Sequence, residues 1–251
     1  MSLLCFEVHA QQGFSCYPLK VYFEQGPGAI SRQKITLINP GEKEMQIAVS
    51  VGNWLYDSIG RNIFPDTASS LSCQSWIKLL PGGYIAIPPA SQRELTIELT
   101  TPDTVSASRP FHTAIVFLTQ LITKEKSGVP GAAIDIAVRA GIKIYNTAPS
   151  FPRKNEIELL DFTRADKTME ISFRNKSPIC TDGKVKFELL NMKTGQTQQI
   201  GYPDFYTLPG NFRRISCLLP ATLSAGHYMA TAIIYYGLYN EVKLAELEFD
   251  Y

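Results

Sequence analysis

The sequence predicts an all-β chain made of two tandem immunoglobulin-like β-sandwich domains. Three observations predict it. Short alternating or β-branched runs recur about every ten residues, with turn signals between them. No segment carries convincing helical periodicity. The stretch 146–154, NTAPSFPRK, holds two prolines and no period, and it divides the 251 residues into parts of ordinary domain size. The first domain is read as residues 11–148 and the second as 149–251.

Residues 1–10 stand apart. A short apolar run ends in Val8-His9-Ala10, and Val8 and Ala10 place small residues where a signal peptidase requires them. The stretch reads as the remnant of an export signal that starts further upstream. An ordinary N-terminal strand is the alternative.

The first domain then proceeds strand by strand. Residues 19–24 form a first strand, closed by the turn Gln25-Gly26-Pro27-Gly28. Residues 31–38 alternate Ile35 and Leu37 against Lys34 and Thr36, and Asn39-Pro40-Gly41 turns the chain. Residues 45–54 place Ile47, Val49 and Val51 on one side, and residues 56–60 turn again. A strand begins at Ser75-Trp76-Ile77 and stops at Pro81-Gly82-Gly83. Residues 85–87 are a brief strand, and residues 94–100 alternate through Leu95, Ile97 and Leu99. Residues 111–122 are continuously apolar, as suits a central strand buried on both faces. Trp54 and Trp76 are expected in the core.

The clearest period of two lies in residues 133–145, AIDIAVRAGIKIY. Ile134, Ile136, Val138, Ala140, Ile142 and Ile144 share one parity, and Asp135, Arg139 and Lys143 the other. Such a strand either closes its own core or offers an apolar row and a backbone edge to another chain. The second domain repeats the style at 156–162, 167–174, 184–191, 196–200, 212–219, 228–236 and 243–249. No residue-level repeat links the two halves.

Composition narrows the function. Apolar residues at 45% and charged residues at 19% suffice for packed cores. A net charge of +1 gives no reason to expect nucleic acid or an anionic membrane as partner. No apolar run is long enough to span a bilayer. The only histidines are His9, His112 and His227, and no nucleophile elbow, metalloprotease, P-loop or dinucleotide motif occurs. The chain is therefore read as a non-enzyme that needs no metal or cofactor. Asn175-Lys176-Ser177 matches the N-glycosylation pattern.

Without residues 1–10 four cysteines remain: Cys16, Cys73, Cys180 and Cys217. An even count in an exported chain permits disulfides, and Cys16–Cys73 and Cys180–Cys217 are the natural pairings, with free thiols as the alternative. Lys20 and Lys143 lie in strands that a tandem of sandwiches brings near the domain junction. Two ammonium groups in a cleft bind a carboxylate, and two solvated lysines do nothing of the kind.

Several of these segments resemble one family in the right order. They are Leu19-Lys20-Val21-Tyr22-Phe23, Ile35-Thr36-Leu37-Ile38-Asn39-Pro40-Gly41, Ser75-Trp76-Ile77, the run 88–98 (PPASQRELTIE), the strand at 111–121, and residues 133–145. Together they resemble the N-terminal domain of the periplasmic pilus chaperones, the PapD-like group, over most of residues 17–148. The second half looks like a generic fibronectin-III or Ig-like domain. The resemblance implies two domains set at an angle with a cleft between them. It implies a protein client, an envelope or pilus subunit, that lacks a strand and receives one from the chaperone without ATP. It makes Ile134, Ile136 and Val138 the donated apolar row, and Lys20 and Lys143 the anchor for the client's terminal carboxylate. It adds an outer-membrane usher as a further partner and the periplasm as the location. The family usually has arginine where this chain has Lys20, and lysine lacks the bidentate fork. The alternative function is a structural or adhesive Ig-like tandem of the envelope with no client strand.

Overall fold

The structure is a computed structural model, and it describes residues 13–106, 108–121, 137–149, 151, 154–238 and 240–251. It divides into two compact units. The first holds the described residues of Met1–Asn53, Asp66–Val105 and His112–Asn146, and the second those of Trp54–Pro65, Ser106–Phe111 and Thr147–Tyr251. Both are all-β sandwiches.

In the first unit one sheet has the order β1 (Ser15–Tyr17), β3 (Ile30–Asn39), β9 (Ser91–Thr100), β7 (Ile77–Leu80). The other has the order β2 (Lys20–Glu24), β11 (Arg139–Thr147), β10 (Phe111–Leu121), β4 (Met45–Gly52), β8 (Tyr84–Ile87). Alternation builds the core between them. Ile35 and Leu37 of β3 and Leu95, Ile97 and Leu99 of β9 are fully buried, and they pack in one cluster with Ile47, Val116, Leu118, Ile142 and Ile144. Each such side chain contributes about 1.5–3 kcal/mol through burial. The chain crosses from one sheet to the other between β1 and β2, which lays β2 beside β11.

The second unit pairs a sheet of order β12 (Ile157–Ala165), β13 (Thr168–Asn175), β17 (Phe212–Leu218) with one of order β15 (Thr197–Gly201), β14 (Thr181–Asn191), β18 (His227–Tyr236), β19 (Glu241–Asp250). A short β16 (Asp204–Thr207) also pairs with β14. Phe173 and Phe205 meet edge to face at 4.9 Å in a core with Phe187, Val185 and Ile234. This unit also contains a small hairpin of β5 (Leu55–Tyr56) and β6 (Asn62–Ile63), whose tip is the turn expected at 56–60. The tip is held on β17, where Ser58 O accepts the Arg214 N–H at 2.7 Å and Arg213 Nη1 at 3.3 Å. Trp54 is buried, and Trp76 packs against the core of the first unit.

The two sandwiches share a device that the sequence conceals. β3 ends on Asn39 and β13 ends on Asn175, and neither side chain is exposed. In both, the Oδ1 accepts the N–H two residues on, from Gly41 at 2.9 Å and from Ser177 at 2.8 Å. In both, the Nδ2 donates to the carbonyl four residues on, Lys43 at 2.8 Å and Ile179 at 3.1 Å. A buried amide satisfied at both ends fixes the turn that follows the strand. The following residues differ, Pro-Gly in one and Lys-Ser in the other, so no sequence repeat is visible.

The structure corrects two sequence-based expectations and describes part of a third. Asn175 is not a glycan acceptor surface, because its amide is buried and bonded at both ends. Cys16, Cys73 and Cys217 are free thiols, so neither Cys16–Cys73 nor Cys180–Cys217 is bridged. Cys180 is exposed, whereas the Cys217 thiol donates to Ile200 O at 3.2 Å. Cys73 is fully buried, and burial pushes its thiol up to about 12. The strand expected at 133–145 is described as β11 from Arg139 to Thr147. Ile134 and Ile136 lie outside the described residues.

Candidate functional site: a paired-lysine corner on an apolar sheet face

The site grows from the pairing of β2 with β11. β2 reads KVYFE, which turns Val21 and Phe23 into the core and Lys20, Tyr22 and Glu24 outward. β11 turns Ile142 and Ile144 inward and Lys143 to the other face. The Lys143 N–H donates to Leu19 O at 3.1 Å, and the Asn146 side chain donates to Gln25 O at 3.3 Å. Residue numbers therefore rise together along the two strands, so they run in parallel. Lys20 and Lys143 consequently meet on one face, and the Tyr22 ring stacks on Tyr145 with centroids 5.0 Å apart and planes 11° apart.

The two ammonium groups oppose each other. Lys143 is lowered to about 8, first by burial and then by the charge of Lys20. An anion arriving between them relieves the repulsion and restores the charged form of Lys143.

The adjoining face of the sheet holds two buried apolar side chains for a definable reason. Ile115 and Phe117 belong to the outward parity of β10, opposite Ala114, Val116 and Leu118 in the core, yet they are buried. Their neighbours are glycines: Gly52 on β4 pairs with Ile115, and Gly141 lies on β11. A Cβ on Gly52 would stand 2.8 Å from the Phe117 ring, and one on Gly141 would stand 2.7 Å from Ile115 Cδ1. Both side chains thus lie down across the backbones of the adjacent strands. The Arg139 guanidinium covers Phe117 at 3.8 Å from the ring centroid. The other sheet of this unit presents a charged outer face, with Arg32 paired to Glu98 at 2.6 Å and Lys34 to Glu94 at 2.7 Å.

No protein-family model matches the chain, and no curated relative matches it. Solved structures do. The Class 5 fimbriae chaperone CfaA superposes with a TM-score of 0.51 at 10% identity, over 95% of this chain and 98% of that one. The YadV chaperone gives 0.50 at 10% identity, over 94% and 99%. A chain of the complex between the Salmonella enterica SafA pilin and the SafB chaperone gives 0.51 at 10%, over 97% and 99%.

The chain has the fold of the fimbrial chaperones.

In this fimbrial-chaperone fold the residues expected from sequence separate into groups. Lys20 and Lys143 are brought together. Val138 is half-buried beside Gly13, with its carbonyl accepting the Gln120 N–H at 2.9 Å. From Ala140 onward the apolar parity of β11 packs against the protein's own core. Sequence reasoning missed Tyr22, Tyr145, Ile115, Phe117 and the two glycines. A glycine inside an otherwise β-rich strand, as at Gly141 and Gly52, was the available signal of close packing by a neighbour. Among the described residues no group of three or more His, Cys, Asp or Glu is disposed to hold a metal.

Proposed function

We propose that the chain is a periplasmic chaperone that caps an envelope or pilus subunit by lending it an edge strand, without ATP. One observation carries this reading: two lysines on adjoining strands share one face of the sheet, beside the buried side chains of Ile115 and Phe117. Two ammonium groups on one face can clamp a carboxylate between them. A polypeptide C-terminus is the anion that also brings a strand.

The topology supports a direction for that strand. β2 covers β11 from Lys143 onward, with Leu19 O accepting the first bond. A client strand laid beside the preceding part of β11 ends where β2 begins, and its carboxylate then reaches Lys20 and Lys143. Ile134, Ile136 and Val138 continue the parity of Ile142 and Ile144, so in this reading the row that fills the protein's own core is extended to fill the client's. The fold shared with CfaA and YadV, both chaperones, is consistent with such a role. Handover of the client to an outer-membrane usher completes the cycle by strand exchange, which needs no nucleotide.

The test is recovery of a strand-lacking subunit with the tagged protein from periplasm. The wild-type chain retains the subunit. Ile136→Asp and Lys143→Ala each release it. If both variants keep the complex intact, the proposed mechanism fails.

A further inference from the structure

The second unit carries an outward face that the client reading does not use. It is formed by β14, β18 and β19, and register places its residues in rows. Lys184, Tyr235 and Val242 form one row, and Lys186, Ile233 and Leu244 the next. Glu188, Thr231 and Glu246 follow, then Leu190, Met229 and Glu248. His227 and Asp250 close the face. Along β19 the outward positions therefore read Val, Leu, Glu, Glu, Asp, spaced by roughly 6.7 Å.

The apolar end of this series is open. Val242 is 51% exposed and Leu244 53%, although both lie opposite apolar partners on β18. Tyr235 adds a ring held edge-on to Tyr202 at 6.4 Å. The lysines at this end are neutralised, Lys184 by Asp204 at 3.3 Å and Lys186 by Glu188 at 2.9 Å. At the other end acid is in excess. Glu248 and Asp250 both face the His227 ring, at 3.6 Å and 2.9 Å, Arg164 Nη1 donates to the Asp250 carbonyl, and Glu246 has no ion-pair partner among the described residues. Adjoining exposed apolar side chains beside a one-signed charge row offer a partner both apolar contact and charge complementarity. The acidic row also repels an anionic bilayer or nucleic acid.

We infer that this face docks a protein partner whose contact element carries apolar side chains followed by Lys or Arg. The partner is distinct from the client and engages the other unit, so the chain holds two proteins through two separate faces.

The experiment uses the full chain labelled with 15N and a synthetic peptide with Leu at two alternate positions, Lys at the next three alternate positions and Thr between. Amide shifts are expected to cluster on β18 and β19. Leu244→Glu, a surface change that leaves the circular dichroism spectrum intact, weakens binding about tenfold. A peptide with Glu in place of Lys does not bind. Shifts clustering around Lys20 and Lys143 instead, or equal binding of the Glu peptide, overturn the inference. So does a homodimer in sedimentation that Leu244→Glu dissociates, because the face then belongs to a second copy. Retention of the strand-lacking subunit by Leu244→Glu separates this result from the client reading, which a failure here leaves untouched.

Discussion

The two outward faces of the first sandwich come from strands of similar length and alternation, and they differ in what flanks each outward side chain. On the β3–β9 sheet the long charged residues find opposite charges on the neighbouring strand, Arg32 with Glu98 and Lys34 with Glu94. Those side chains stand up into water. On the β2–β11–β10–β4–β8 sheet the central outward residues are Ile115 and Phe117, and glycines flank them. They lie down across those glycines, lose almost all of their exposure and, at Phe117, carry the Arg139 guanidinium. The difference teaches that outward parity does not define a solvated face. The size of the cross-strand neighbour decides whether an outward side chain stands or lies, and a face of recumbent apolar residues suits a second sheet better than it suits water.

The largest break in this comparison is a Cβ beside these side chains. Gly141→Val drives a branched side chain into Ile115, which sits 2.7 Å from the position of a Cβ there and is packed on both sides. Overpacking of this kind costs about 1–3 kcal/mol. A urea melt of Gly141→Val is expected to show that loss, and Lys34→Val on the charged face is expected to change stability by less than about 0.5 kcal/mol. Equal melts for the two variants dissolve the distinction between the faces.

The second break concerns the lysine corner. A hydrogen bond to a charged group is worth about 1.5–3 kcal/mol, so Lys143→Ala is expected to weaken retention of a strand-lacking subunit about tenfold or more. Lys34→Ala, an equally cationic position on the opposite face, is expected to leave retention unchanged. Titration calorimetry with the purified subunit reads both.

How far the sequence disclosed these features depended on the range of the interaction. Alternation along β3, β9 and β11 made the core and the sandwich class legible, because a period of two is local. The lysine pair was only half legible. Lys20 and Lys143 are 123 positions apart (143 minus 20), and nothing local says that β2 crosses between sheets to lie against β11. The packing of Ile115 and Phe117 was not legible at all, since it depends on Gly52 and Gly141 flanking one strand from both sides. Asn39 and Asn175 show the same limit. Each looked like a turn residue or a glycan site, and only the carbonyls around them reveal a shared capping device.

The third prediction sharpens the corner by pH. Lys143 is depressed to about 8 in the folded protein against an ordinary 10.5. Below pH 8 it is charged in both folded and unfolded chains, and between 8 and 10.5 the unfolded chain binds more protons. Stability from this group therefore rises as pH rises through that window. Carboxylate binding needs the charged form and moves the other way. Raising pH from 7 to 9 is expected to weaken subunit binding by up to about tenfold while the melt midpoint holds or rises. Lys143→Met removes the pH dependence. Parallel loss of binding and stability contradicts the assignment, since that pattern signals general unfolding.

The smallest effect belongs to the charged face, and it tests whether that face does anything beyond staying wet. Glu98 is the less exposed partner of its pair, with 14% of its side chain accessible against 65% for Arg32. Arg32→Gln leaves Glu98 to regain water, and exposed pairs of this geometry are worth about 0.2–1 kcal/mol. A loss of this size that shrinks further in high salt is expected from thermal melts, with no change in subunit retention. A larger loss, or any effect on retention, makes the β3–β9 face part of the binding surface and removes the asymmetry between the two sheets.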